Sequence, residues 1–465
     1  MSLQTIISWL QKPFGIDLFQ EVSGKSLAFF RIAFGIVMFY ELMNMRLYVL
    51  NDLLTAEYFI TYDLFPWVRP FSLPIMEFFA AFSVVASLFV IVGYKYRIAQ
   101  SIVAFVWTYA FLLDQGHYNN HYYLYSVVSI YLIFTGANRN YSFDAALNPQ
   151  KRSSAVFRVE YLIIQLQVFV VYFYGSVAKM NADWLAGWPM RLWLSTGIEE
   201  FPDWYADFVT SNFGVLFYSW GGMLFDFFIG FMLFHKRLRY WALPALVFFH
   251  VSNHFFWNIG TFPWFSIMVT FIFFPPNWPD KVLSKFGWEF DVNKIELSRT
   301  ASSAKRGWVT TLFTIYIAFQ FLAPLRQFVY RGSPGWHGYA QHFAWRMMLV
   351  DMVSGVQFRI KDVGDSEFLN VSMEDYISFR QFRKSARIPS SFLDFAHFLR
   401  DEMIKGGAKD PIVKMEIYKS FNGRPYMLLN DTALNYATVE ETYFSVPDWI
   451  QPGNEDEEPG QLWKD

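Results

Sequence analysis

The sequence predicts a mainly α-helical protein, a polytopic transmembrane bundle of about nine spans with a C-terminal extracytoplasmic α+β domain. Three observations predict it. Hydrophobic residues make up 54% of the chain and charged residues only 17%, against about 25% charged in a soluble domain. Apolar runs long enough to cross a bilayer recur from Leu27 to Ala323. Beyond residue 325 the pattern changes to short alternating runs broken by turn signals.

The elements follow in chain order. Residues 1–25 are interrupted by Gln4, Gln11, Lys12, Pro13 and Asp17, and predict an interfacial amphipathic segment with no cleavable signal peptide. Residues 26–325 form the transmembrane helical domain. Its spans are expected near 27–46, 74–93, 98–113, 121–136, 156–178, 213–234, 239–257, 260–275 and 308–323. Basic residues fall on alternate connections: Lys95 and Arg97, then Arg139, Lys151, Arg152 and Arg158, then Lys236, Arg237 and Arg239, then 281–306. The stretches 114–120 and 258–263 carry no Lys or Arg. The positive-inside rule then predicts a cytoplasmic N-terminus, and an odd number of spans leaves the C-terminal part outside.

Residues 326–452 predict the extracytoplasmic α+β domain, with strands near 356–363 and 413–420, a helix near 391–404, and a hairpin turn at Asn422-Gly423. Residues 453–465 predict an acidic disordered tail. The formal net charge of −2 argues against nucleic acid as a partner. With no cysteine, disulfides, thiol nucleophiles and thiolate metal sites are excluded.

Candidate function rests on the rare polar groups of the spans. Lys179 ends the aromatic run 169–184 as a lone amine. One reading makes it an interfacial anchor. The other makes it a general base, because a dry setting favours the neutral amine. Asn119, Asn120 and His121 open the fourth span, and His250, Asn253 and His254 lie toward the outer end of the seventh. The expected topology brings these groups to one depth with Lys179, and intramembrane polar groups mark function. Gln165 and Tyr172 share the Lys179 face at roughly heptad spacing, as pocket lining or as interhelical bonds. Asp226, mid-span, has to be protonated or paired, for packing or for chemistry.

Three functions fit these residues. His117 with His121, and His250 with His254, have the spacing of metal ligands and allow a histidine-ligated membrane metal oxygenase. Lys179 allows deprotonation of a lipid-soluble phenol or hydroquinone, with His121 and Asn120 stabilising the oxyanion. The helices alone allow a non-enzymatic, membrane-anchored binding module.

The motifs add a resemblance. Asn119-Asn120-His121-x-Tyr123-Leu124-Tyr125, Val171 to Trp184, Gly221-Gly222-x-Leu224-x-Asp226, Tyr94 to Ile98, Trp345-x-Met347-Met348 and Trp449-Ile450-Gln451-Pro452 resemble stretches of the vitamin K-dependent γ-glutamyl carboxylases, from about residue 25 to 452. The resemblance implies Lys179 as the base toward reduced vitamin K, with His121 and Asn120 in support, and no metal. Asn181, Tyr172, Gln165, His250 and Asn253 are the candidates for binding the naphthohydroquinone. The resemblance also implies O2 and CO2 as co-substrates, epoxidation of the quinol coupled to carboxylation of a glutamate-containing peptide, and the lipid bilayer as a partner. Quinol epoxidation without carboxylation is the alternative. Ala178 stands where the animal enzymes have a second lysine, and Asn181 stands where they have an aspartate. The chain stops soon after Trp449-Ile450-Gln451-Pro452, as expected of a short bacterial homologue without the animal propeptide-binding region.

Overall fold

The computed structural model describes residues 17–48, 56–148, 154–257, 259–288, 302–385, 387–442, 445–454 and 456–463. The interfacial segment expected over 1–25 lies outside these up to residue 16. Its described end departs from a helix, because Glu21–Ser23 (β1) pairs antiparallel with Ala155–Phe157 (β2).

Nine helices carry the nine apolar stretches: α1 Lys25–Tyr48, α2 Leu73–Val92, α3 Tyr96–Leu113, α4 Asn120–Phe134, α5 Arg158–Lys179, α6 Asn212–Phe234, α7 Arg239–Trp257, α8 Phe262–Thr270 and α9 Ser303–Leu322. Among the described residues, six of them (α1, α2, α3, α5, α6 and α9) are long and apolar enough to cross a membrane unaided. The count of nine is therefore approximate. At 1.5 Å per residue α4, with 15 residues, spans only about 22 Å, short of the ~30 Å hydrocarbon core. It is enclosed by the bundle, where Leu124, Tyr125, Val128 and Leu132 are buried. α7 contains Pro244 and the polar groups of the candidate site.

Helix α5 is the axis of the bundle. Its N-terminus is closed by Glu160, whose carboxylate accepts from the Phe157 amide at 3.1 Å and the Gly136 amide at 2.6 Å, satisfying donors the helix leaves free. It then packs on α6 through small residues, as membrane helices do. Ser176 donates to the Met223 carbonyl at 2.9 Å, and Gly230 lets the Phe169 ring close in, since a Cβ there would sit 2.7 Å from it. At the opposite side of the bundle Gly93 ends α2 at φ 67°, and a Cβ would meet the buried Arg31 guanidinium at 2.1 Å. Only glycine fits both the left-handed turn and the approach.

The C-terminal domain is an antiparallel sheet in the order β4-β3-β5-β6: β3 Met352–Asp362, β4 Leu369–Val371, β5 Pro411–Phe421 and β6 Met427–Leu428. β3 and β5 pair from Met352↔Phe421 to Asp362↔Pro411. The expected strands, helix and hairpin are here. Val413, Met415 and Ile417 alternate inward against Phe392, Phe395 and Leu399 of α11, Pro389–Lys405, which follows α10, Phe379–Ser385. Asn422 (φ 53°) and Gly423 (φ 71°) are both left-handed, the backbone of a type I′ turn. The described part of the tail expected to be disordered is instead docked. Gly460 and Leu462 donate to the Asn422 and Gly423 carbonyls at 2.9 Å each, and Arg424 Nε donates to the Glu457 carbonyl at 2.8 Å. Backbone bonds to the hairpin hold it where composition alone indicated none.

Candidate functional site

Lys179 is the last residue of α5, and its side chain turns back into the bundle rather than out toward the interface. It is 7% exposed. Its Nζ donates to Asp226 Oδ2 of α6 at 2.5 Å and to the Gly175 carbonyl at 3.3 Å, and lies 5.5 Å from the centre of the Trp184 ring. The anchoring reading is thereby overturned. So is the picture of a lone amine: Asp226, itself 5% exposed, is its partner. A buried ammonium without such a partner would carry a large desolvation cost.

The candidate residues fall into groups. Tyr172, seven residues before Lys179 on α5, lies about 10 Å along the same face. Its hydroxyl shares a 2.7 Å hydrogen bond with His250 Nε2 of α7. The His250 ring lies 5.7 Å from Phe262, and the His121 ring lies 5.9 Å from the same phenyl. The two imidazoles therefore flank one aromatic ring of α8. Asn253, one turn beyond His250, is half-buried and its side chain has no hydrogen-bond partner among the described residues.

Three expectations change. Gln165 lies 14 residues from Lys179 on α5, about 21 Å along the axis, and bonds the Ile272 carbonyl at 2.9 Å. It ties helices far from the amine. Asn181 is a helix cap: its Oδ1 accepts from the Trp184 amide and its Nδ2 donates to the Ala178 carbonyl, both at 3.0 Å. His117 does not share a helical face with His121, because it belongs to a 3₁₀ turn, Gln115–His117, that ends before α4 begins. The spacing of a ligand pair is there without the helix that would align it. Among the described residues no three His, Asp or Glu side chains gather as a metal-binding group.

Asn120 faces the C-terminal domain. Its Nδ2 donates to the Arg346 carbonyl at 2.7 Å and its Oδ1 accepts from Tyr118 at 3.1 Å, while the Tyr118 hydroxyl accepts from the Phe343 amide at 2.7 Å. Tyr123 stacks on Trp345 at 4.8 Å. The segment 340–348 thus plugs into the mouth of the bundle, and Met347 reaches Gly175 beside Asp226. A second clamp follows Lys179. Arg424 grips Asp183 with two 2.8 Å bonds, and Asn422 Nδ2 adds a third to it at 2.7 Å.

Sequence reasoning missed Glu41, 5% exposed in α1, whose carboxylate accepts from Thr261 Oγ1, which also bonds the Tyr125 hydroxyl at 2.9 Å. A carboxylate within an apolar span was the available signal. A groove of about 490 Å³ between α2 and α3, lined by Phe78, Phe82, Arg97 and Phe105 among others, shares no residue with this cluster.

The fold is that of a polytopic membrane protein, an aromatic helical bundle with a paired amine buried near its mouth and a small α+β domain capping it. The HTTM domain model matches residues 19–278, and the model of the vitamin K-dependent gamma-carboxylase lumenal domain matches residues 305–456. The chain belongs to the vitamin K-dependent gamma-carboxylase family. Its function is accordingly carboxylase-like, its family cofactor is reduced vitamin K, and its C-terminal domain is extracytoplasmic. No solved structure matches the chain.

Proposed function

We propose that this protein oxygenates reduced vitamin K to the epoxide, with Lys179 as the base, and couples that reaction to carboxylation of a peptide glutamate. The observation that carries the reading is the amine folded back into the bundle against Asp226. The surroundings fit a flat hydroquinone. They are aromatic, and His250 Nδ1 and Trp345 Nε1 are buried without a partner among the described residues, leaving polar atoms for hydroxyls at the ring edge.

When bound, reduced vitamin K supplies with O2 the oxidising chemistry that makes a glutamate γ-proton removable and CO2 addition possible. The residues do the rest. One proton serves Lys179 Nζ and Asp226 Oδ2. With it on the carboxyl, the amine accepts the hydroxyl proton of the hydroquinone. The ammonium so formed stays hydrogen-bonded to Asp226 Oδ2 and would give up the acquired proton to the oxygen that leaves as water, which resets the amine. Tyr172 and His250 orient the ring below the amine, and His121, across Phe262, faces developing negative charge. Asn120 positions the 340–348 plug, which excludes water. In this reading the N-terminus is cytoplasmic, which the basic connections support.

Purified protein in nanodiscs, given reduced vitamin K, O2 and a glutamyl peptide with labelled CO2, is expected to yield epoxide and labelled peptide. Absence of epoxide overturns the reading. Epoxide without labelled peptide leaves a quinol epoxidase.

A further inference from the structure

Arg380, Arg383 and Lys384 stand at i, i+3 and i+4 on α10 and share one face, and Arg387 lies two residues past the end of the helix. The helix is pinned on its other side. Gln381, fully buried, donates to Asp114 Oδ2 at 2.5 Å, and the Ser385 hydroxyl returns to the Gln381 carbonyl at 2.9 Å. The basic face is thereby turned toward the mouth of the bundle. Lys384 Nζ donates to Asn119 Oδ1 at 3.2 Å, Arg380 hydrogen-bonds the Tyr122 hydroxyl, and the Lys384 charge acts on the His121 ring.

The charges around this face do not balance. Among the described residues no carboxylate lies within ion-pair distance of Arg383, Lys384 or Arg387. Asp351 acts on Arg387 only at longer range. The nearby Asp114 carboxylate is occupied by Gln381 and by the Gly116 amide at 2.6 Å. Burial, then Arg387, Arg380 and Arg383, push the Lys384 ammonium down to about 8. Arg380, Arg383 and Arg387 are exposed and only Lys384 is half-buried, so three like charges surround one partly dry ammonium, and an anion that accepts forked N–H donors relieves their repulsion.

We propose that this face is the subsite for the side-chain carboxylate of the acidic peptide, held by Lys384, Arg383 and Arg387 beside Asn119 and His121. The inference rests on the function proposed above. A peptide suits the face better than a lipid headgroup, because Lys384 is half-buried between the two domains and bonded to Asn119 rather than turned to the bilayer plane. A free bicarbonate ion offers the same carboxylate chemistry, and the competition arm below separates the two sources.

The test is binding, which needs no turnover. Full-length protein in zwitterionic nanodiscs is titrated with a fluorescein-labelled Ala-Glu-Glu-Ala peptide, with Ala-Gln-Gln-Ala as the control. The glutamyl peptide is expected to bind at least about tenfold more tightly than the control. Lys384→Gln and Arg383→Gln should each erase that difference, and Arg383→Lys should restore part of it, which a folding defect would not. Equal affinity of both peptides, or variants that keep the preference, overturns the subsite. Displacement of the peptide by millimolar bicarbonate, or loss of the preference in phosphatidylglycerol nanodiscs, overturns the peptide as its occupant. Glutamyl-selective binding in a protein that makes no epoxide would retain the subsite while the proposed reaction falls.

Discussion

Two ion pairs lie four residues apart in the chain and are built in opposite ways, one buried on both sides and one with a half-buried carboxylate. At Asp183 the Arg424 guanidinium makes two 2.8 Å bonds, with Asn422 adding a third, and Nε is taken by the Glu457 carbonyl. Donors and acceptors are matched and fixed in a plane. At Lys179 a point charge meets one carboxylate oxygen and one carbonyl. A forked, saturated pair holds two domains together. The Lys179 pair, held through a single carboxylate oxygen, is less constrained. In the proposed function the first pair serves assembly and the second serves chemistry, within one turn of sequence.

The comparison can be broken or sharpened by substitution. Lys179→Ala has the largest expected effect on turnover, a loss of about 10²- to 10⁴-fold in quinol epoxidation with the Tm changed far less than turnover. Arg424→Ala should cost about 3–5 kcal/mol by stranding Asp183, read as a lower Tm and faster proteolysis between the domains. If Arg424→Ala left stability intact and removed turnover, the contrast would fail. Gly93→Ala is the control for destabilisation remote from both pairs. The left-handed turn and the Arg31 contact predict a loss of about 1–2 kcal/mol without change in the KM for quinol.

Lys419 gives the most specific effect. It is buried, donates to the Trp336 carbonyl, and has no carboxylate partner among the described residues. Burial, with Arg387 adding to it, pushes its ammonium down to about 7 from 10.5. The unfolded chain keeps that proton up to 10.5, so between pH 7 and 10.5 the folded state binds fewer protons and stability rises with pH. Lys419→Met should flatten the rise of Tm over that window. An unchanged slope would show that the buried amine does not set it.

Much of the fold is legible because lipid and water sort residues so strongly. The apolar runs, the alternation of β3 and β5 and the Asn422-Gly423 turn each have a local physical signature. Lys179 is legible for the same reason, as a charge where charges are rare. Its partner is not, because Asp226 is 47 residues away and helix packing decides which span it meets. The roles of Asn120 and Asn181 are hidden similarly. Both look like site residues in a list of amides, yet one holds a loop of the other domain and the other caps a four-residue helix. Gln165 shows the limit of periodicity, which reports the face of a helix and says nothing of depth.

The plug at 340–348 has a consequence for how the molecule is made. Ala340, Phe343, Trp345 and Met348 all adopt left-handed backbone without being glycine, at about 1–2 kcal/mol each. That shape is held by Tyr118, Asn120 and Tyr123, all of which leave the ribosome some two hundred residues earlier. The membrane part therefore acts as a mould for a segment that has no reason to take this form alone, and the extracytoplasmic domain secreted by itself would carry Trp345 into water and aggregate.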